Sequence, residues 1–586
     1  MQIYKAPVDE MMFLLDAFGY GEVHKLEPYA AYDLDTMRAV LDQTATFASE
    51  VMLACNRVGD QQGLSWDPKT GAVTTPKGFK EAYQRLVEGG YVGLAAPPEY
   101  GGGGAPMSLA SFVSEMHTAG NKSMSMCPGL TAGLVEALHE HGSKELQDRY
   151  MEKLISGTWT GTMCLTEPQC GTDLGLVRTK AIPEGDHYRL TGTKIWITFG
   201  EHDFTENICH LVLARLPDAP EGIKGISTFL VPKINEDGTR NNVKCTGLEH
   251  KMGIHASPTC VIDMEDAIGY LVGEPHRGMR AMFTMMNNAR LLVGVEGIAL
   301  GEIAYQTALA FAKDRRQSRS LDPAKREMDA PADNILVHPD VRRMLLEVKA
   351  SGEGMRGLST WVATLIDISQ AHPDEAVRQE ADDIVSLLTP IIKGYCTERG
   401  FSNVSEAMQV CGGAGYTQDW SIEQYLRDVR IAMIYEGTNH IQALDLVGRK
   451  LPRHGGRLFQ AFAKRVARLA KEAAGVEETK AFAAALGKSL QTLTETTMAL
   501  GAKAMADNEE AGAVANSYLK VFGLVGCAYS WTRQALHAVQ NDTTNRATKL
   551  KTARYFFDVI LPEIDSLVKV IAVGKEPIMA FDVDEL

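Results

Sequence analysis

The ten cysteines of this 586-residue chain form no C-x-x-C pair, and no His or Cys ligands recur at metal spacing. A zinc site needs such paired ligands, so no metal is expected. Cys127, Cys164, Cys170, Cys260, Cys411 and Cys527 stand in apolar or glycine-rich surroundings, which reads as reduced, buried thiols. No G-x-G-x-x-G lies between a strand and a helix. Gly412, Gly413 and Gly415 follow a helix-like run instead, which argues against a Rossmann dinucleotide site and a nicotinamide enzyme. A net positive charge is lacking: Asp and Glu outnumber Lys and Arg by 74 to 59, a net charge of -15, whereas a nucleic-acid partner calls for a basic face. The N-terminus offers no long apolar run either. Met11–Leu15 is too short for a signal h-region or a bilayer span, and Val583–Leu586 carries no retention or peroxisomal signal. The expectation is a cytoplasmic protein without a membrane span. No fixed-period repeat and no low-complexity tract appears.

What is present is ordinary globular composition, 45% hydrophobic and 23% charged, in a chain too long for one core. Helical spacing marks 34–58, 79–86, 109–116 and 130–141. The glycine-rich 95–104 has no leading strand and no following lysine, so it reads as a structural loop rather than a phosphate cradle. From about residue 158 the pattern changes to short strands (160–165, 188–190, 194–198, 208–216, 226–231, 260–264) with Gly/Pro turns, which suggests a small antiparallel barrel. Long helices return at 281–316, 339–369 and 374–412, separated by a polar loop at 317–337, as in a bundle. Further amphipathic helices follow Pro452. The expected division is 1–157 helical, 158–277 β, 278–452 four-helix bundle and 453–586 an additional helical domain.

Three stretches carry chemistry. Tyr435-Glu436-Gly437-Thr438-Asn439-His440 places one carboxylate at a glycine-marked break between apolar segments. Desolvation there raises a carboxyl toward the proton affinity of a general base at neutral pH; the plain alternative is an exposed Glu in a turn. Met163 to Asp173 is a strand running into a turn rich in small hydroxyls and free backbone N–H groups, suited to carbonyl or phosphate oxygens, or else simply a decorated turn. Lys194-Ile195-Trp196-Ile197-Thr198 sets a Trp in a strand, where core packing is the ordinary role.

Taken in order, these stretches resemble the acyl-CoA dehydrogenase family. Its signature C-x-T-E-P-x-A-G-S-D is matched from Cys164, with Cys170 for Ala and Thr172 for Ser. Its Q-x-x-G-G-x-G-Y is matched from Gln409, its R-D at Arg427-Asp428 and its Y-E-G-T at Tyr435–Thr438. The resemblance covers roughly 80–450 and implies a mostly α fold with a central β-barrel domain and a C-terminal helical extension. It implies FAD as cofactor, touched by Leu165, Thr166, Thr172, Trp196, Thr198 and Thr438. Arg315, Gln409 and Gly413 would serve the FAD of a neighbouring subunit, hence a homodimer or dimer of dimers. Ser318-Arg319 stands where the family commonly continues Phe-Gly. Glu436 would be the catalytic base. The other base position of the family, just before Arg290, holds Ala289.

Substrate contacts implied are Arg290, Gly437 and Met126, the last in the Met-rich segment 123–130. A buried ion pair for Arg290 and plain core packing for Met126 remain open. His440 stands where many relatives have Gln and receives no role. The implied reaction is α,β-dehydrogenation of an acyl-CoA, with an electron-transfer flavoprotein as acceptor. Tyr4–Val8 and the extension past residue 455 mark a long-chain-length subgroup. Within it the chain is similar to the bacterial 3-methylmercaptopropionyl-CoA dehydrogenases of dimethylsulfoniopropionate catabolism. A general fatty acyl-CoA dehydrogenase, an acyl-CoA oxidase and a non-catalytic DNA-binding flavoprotein of the same fold are the rivals.

Overall fold

The computed structural model describes residues 2–586, leaving aside the side chains of Phe283, Met286, Asn287 and Asn288. The chain forms two compact units: Gln43–Pro106 with Met116–Ala289, and Met1–Asp42 with Met107–Glu115 and Arg290–Leu586.

The first of these holds all the strands among the described residues. A small hairpin of β1 (Ser65–Trp66) and β2 (Val73–Thr74) stands apart from a seven-stranded sheet. That sheet comprises β3 (Trp159–Cys164), β4 (Lys180–Glu184), β5 (His187–Thr198), β6 (Asn207–Arg215), β7 (Ile226–Pro232), β8 (Val243–Leu248) and β9 (Thr259–Val272). The order is β3-β6-β4-β5-β9-β7, with β8 on β9. Because β7 also pairs β6, the sheet closes on itself, with β3 and β8 each paired on one side only. The expected barrel is therefore present but not purely antiparallel. β3 and β4 run parallel to β6, because the β4–β5 hairpin intervenes before the chain re-enters the sheet. β6 and β7 are buried almost throughout, the polar Asn207, His210, Ser227 and Thr228 included. Helix Lys122–His141 packs on β3 at Gly161, where a Cβ would lie 2.7 Å from Leu134 Cδ2.

The second unit is helical. Its main elements are the continuation of Gly278–Asp314, then Pro339–Ala371, Glu375–Ile391, Thr397–Cys411, Asn439–Asp445, Arg457–Ala474, Lys480–Ala506 and Asn508–Gln540. One apolar core runs from Leu291 to Ile571 and joins Pro339–Ala371, Glu375–Ile391, Asn439–Asp445, Arg457–Ala474, Lys480–Ala506 and Asn508–Gln540. Asn508–Gln540 is long and apolar enough to cross a membrane by composition, but 72% of its most apolar window is buried in this core. Trp531 on that helix is fully buried and donates its indole N–H to Ala350 O at 3.0 Å. Two π turns interrupt the helices near residue 436: Ile392–Cys396, just after Pro390, and Leu446–Lys450. Proline removes a helical donor and crowds the preceding turn, and π turns of this kind gather at functional sites.

Candidate active site

Glu436 sits in the helical unit on a backbone with φ 56°, followed by Gly437 at φ 81°. A left-handed glutamate is uncommon, and such backbone is kept only where its surroundings enforce it. Gln442, one helical turn on, does so: its Nε2 donates to Glu436 O at 3.0 Å and to Gly437 O at 3.2 Å. Gly437 has to be glycine on two counts, its φ and the 2.8 Å that would separate a Cβ from Gln442 Nε2. Thr438 caps the helix Asn439–Asp445, its Oγ1 accepting from Ile441 N at 3.3 Å.

The residue is half-buried, but its Oε2 is sealed from solvent and makes no hydrogen bond. Burial pushes the carboxyl up to about 7. Arg290 and then Lys393 oppose that rise, and Glu296 adds to it. Arg290 is 4% exposed and pairs with Asp445 at 3.2 Å, while its Nε is buried without a partner. Of its two readings, the buried ion pair is the one seen. Lys393 projects from the π turn, fully buried, and burial lowers its ammonium to about 8. Lys393, Glu296, Asp445 and Gln442 carry no mark in the sequence. A buried lysine reads like a surface one until the helix register is known. Pro390 inside an apolar helix was the signal that could have found the π turn.

In the β unit, Glu167 and Lys194 are both buried and paired at 2.8 Å. Burial works against the Glu167 charge, yet Lys194, the Thr179 hydroxyl and the backbone N–H of Arg178 hold it down at about 2. Lys194 Nζ also donates to Leu165 O at 3.1 Å, and Ile195 N to Thr166 O at 2.9 Å. The turn bearing Leu165 and Thr166 is thus fastened to the strand bearing Trp196 and Thr198. Pairing of β5 with β9 shifts register between Lys194 and Ile197. Within that bulge Trp196 takes φ 61° and is 59% exposed. A bulky residue in that conformation costs on the order of 1–3 kcal/mol. What the strain achieves is a broad aromatic face held outward on the strand that carries half-buried Thr198 and is tied through Ile195 to the turn of half-buried Thr166. These groups fit a flat heteroaromatic ring with polar edges, as the flavin of FAD is. Met126 lies half-buried in this unit, accepting from Ser257 Oγ at 3.7 Å, while Met124 and Cys127 are wholly core. The segment 123–130 is helical, with Pro128 inside the helix.

Arg315, Gln409 and Gly413 are exposed in the helical unit. Arg316 pairs with Glu327 and Arg319 with Asp333, whereas the Arg315 side chain makes no ion pair among the described residues. An unneutralised guanidinium suits a phosphate oxygen.

Four family models match successive stretches: acyl-CoA dehydrogenase N-terminal domain (39–158), middle domain (162–267) and C-terminal domain (276–451), and acetyl-CoA dehydrogenase C-terminal like (459–582). The chain belongs to the acyl-CoA dehydrogenase family. A 3-methylmercaptopropionyl-CoA dehydrogenase of Ruegeria pomeroyi is 44% identical across 79% of each chain. The broad-specificity linear acyl-CoA dehydrogenase FadE5 of Mycobacterium tuberculosis is 32% identical across 99% of each. Among solved structures, Caenorhabditis elegans ACDH-11 in complex with C11-CoA superimposes with a TM-score of 0.78 at 20% identity, covering 96% of this chain and 94% of that one. The Bacillus anthracis acyl-CoA dehydrogenase complexed with FAD does so with 0.77 at 20%, covering 94% and 90%. The mostly α fold with a central β domain and a helical extension, expected from the sequence, is the fold of this dehydrogenase family.

Proposed function

We propose that this chain is an FAD-dependent dehydrogenase that converts an acyl-CoA thioester to a trans-2-enoyl-CoA, with Glu436 as the base. One observation carries the reading: a carboxyl on a left-handed turn, its Oε2 sealed and unpaired, its proton affinity near neutral. A base of ordinary acidity would be too weak for the α-proton of a thioester, and one that stayed protonated would be useless. Glu436 also offers its backbone N–H, which makes no hydrogen bond among the described residues. That donor would polarise the thioester carbonyl as negative charge develops on it. FAD, when bound, supplies the acceptor for the β-hydride. Leu165, Thr166, Thr172, Trp196 and Thr198 would hold the flavin end, with Thr438 following the base. Arg315, Gln409 and Gly413 would reach the nucleotide end bound to a second copy, making a homodimer or dimer of dimers. Gly437 keeps the backbone beside the base bare for the substrate.

The substrate we favour is 3-methylmercaptopropionyl-CoA, giving methylthioacryloyl-CoA, supported by 44% identity to the Ruegeria pomeroyi enzyme. A second reading, broad use of linear acyl-CoAs, is favoured by the full-length match to the mycobacterial enzyme. The acceptor would be an electron-transfer flavoprotein. A ferricenium-linked assay over acyl-CoAs including 3-methylmercaptopropionyl-, butyryl- and palmitoyl-CoA tests the reading. Turnover confined to short chains supports the first substrate. A profile rising monotonically to palmitoyl-CoA refutes it, and no turnover of any thioester refutes the function. Oxygen consumption at the same rate without ferricenium would point to an oxidase instead.

A further inference from the structure

Lys393 is buried in the π turn Ile392–Cys396, and its Nζ donates to Asn439 Oδ1 at 3.0 Å. Asn439 returns a bond to the same turn, Nδ2 to Gly394 O at 3.1 Å. The two bonds fix which way the amide faces, since an ammonium accepts nothing. Asn439 opens the helix directly after Glu436-Gly437-Thr438. The turn carrying the base is therefore gripped twice, by Gln442 on its carbonyls and by Lys393 through Asn439.

Charge gives Lys393 a second part. The groups acting on Glu436 are Arg290 and Glu296 from the helix Gly278–Asp314 and Lys393 from the π turn. Arg290 acts more strongly than Lys393, but it is bound to Asp445, which also holds Arg449 at 2.7 Å. Glu296 accepts from the Tyr435 hydroxyl. Lys393 forms no ion pair among the described residues, and its one hydrogen-bond partner is the neutral Asn439. It is the cation with no carboxylate of its own. Glu436 and Glu296 act on it in turn, so the coupling is mutual.

We propose that Lys393 is a positioning residue for the base: it holds the Glu436 turn through Asn439 and adds, beside Arg290, counter-charge that lets Glu436 ionise. The proposal rests on Glu436 being the base. Burial leaves Lys393 protonated below about 8, and Glu436 ionises near about 7, so both charges coexist in the working range.

The test compares wild-type, K393M, K393Q, N439A and E436Q holoenzymes in the ferricenium-linked assay with butyryl-CoA across pH. K393M and K393Q should move the acid limb of kcat/KM upward by about one pH unit, the usual effect of removing a nearby opposite charge. K393Q keeps a donor for Asn439 and should keep KM near wild type. N439A keeps the cation but removes one of the two grips on the turn. It should lower kcat about tenfold through misplacement of the base and leave the limb where it is. An acid limb unmoved in the lysine variants overturns the proposal. If K393M does not load FAD, K393Q decides. If neither loads, N439A decides: unchanged kcat overturns the proposal and a loss at unchanged KM supports it. E436Q separates the two levels. Substantial activity in E436Q defeats the base reading itself, whereas an inactive E436Q beside unshifted lysine variants defeats only Lys393.

Discussion

Replacing Glu436 with Gln should make the enzyme inactive and, at alkaline pH, more stable. The carboxyl is raised from 4.5 to about 7, a shift of ~2.5 pH units, which at ~1.36 kcal/mol per unit is roughly 3 kcal/mol. Between those values the folded state holds a proton that the unfolded state has released, so stability falls as pH rises through this window. The cost is nearly absent at pH ~4, reaches roughly 1 kcal/mol at pH ~5 and is complete above pH ~8. A neutral amide of the same shape escapes it. The E436Q holoenzyme should thus melt at higher temperature than wild type at pH ~8, with the gap shrinking by roughly 2 kcal/mol equivalent on acidification to pH ~5. FAD occupancy, read from flavin absorbance per chain, should be unchanged, while turnover falls by about 10²–10⁴-fold, the usual worth of a general base. The assay is thermal unfolding at the two pH values beside ferricenium-linked turnover. A melting difference independent of pH would show that Glu436 is not held protonated by the fold, and the reasoning from burial would fail.

Trp196→Ala should lower FAD occupancy while leaving apo-protein stability within about 1 kcal/mol, because the indole is largely exposed and its strained backbone is relieved; flavin absorbance and urea unfolding report the two. Arg315→Ala should lower FAD occupancy and weaken assembly together, since a ligand stabilises the state that binds it; sedimentation showing a fully loaded, intact oligomer would contradict this. Met126→Ala should move the optimum of kcat/KM toward longer acyl chains, each accommodated methylene adding at most about 0.8 kcal/mol; an unmoved optimum assigns Met126 to packing. Arg356→Met should destabilise the helical unit by about 3–5 kcal/mol, because Arg356 is buried between Glu115 at 2.7 Å and Glu302 at 2.8 Å and its loss strands both carboxylates; a denaturation midpoint near wild type would refute that cost.

Much of this fold was legible because its elements are long and periodic. The helix Pro339–Ala371 and the strand Asn207–Arg215 were placed within a few residues. β9 was read at less than half its length, since the adjacent exposed Glu265 and Asp266, the latter at φ 56°, break the alternation and disguise the strand as a turn. Lys180–Glu184 and Val243–Leu248 were missed for lack of apolar runs; their register comes from neighbouring strands. Glu436 was legible from its glycine-marked turn, but its surroundings were not. Lys393 lies 43 residues upstream, and what turns it inward is a π turn that no spacing rule foresees. Trp196 was legible as an aromatic in a strand, whereas its positive φ arises from a bulge set by pairing with β9.

The apolar core that the last helices share with those around residue 436 bears on modularity. Sequence models divide the chain between residues 451 and 459, but the packing recognises no such seam. A Cβ on Gly394, the residue after Lys393, would meet Leu519 at 2.9 Å, and one on Gly523 would meet Tyr395 at 2.3 Å. Helix Asn508–Gln540 is pressed, glycine by glycine, against the back of the turn that faces the base. Shortening the chain to the length of smaller relatives would not peel off an accessory; it would strip the outer wall from behind Lys393. Swapping C-terminal segments between paralogues therefore becomes a means of retuning Glu436 from more than 80 positions away, without touching any residue that meets substrate.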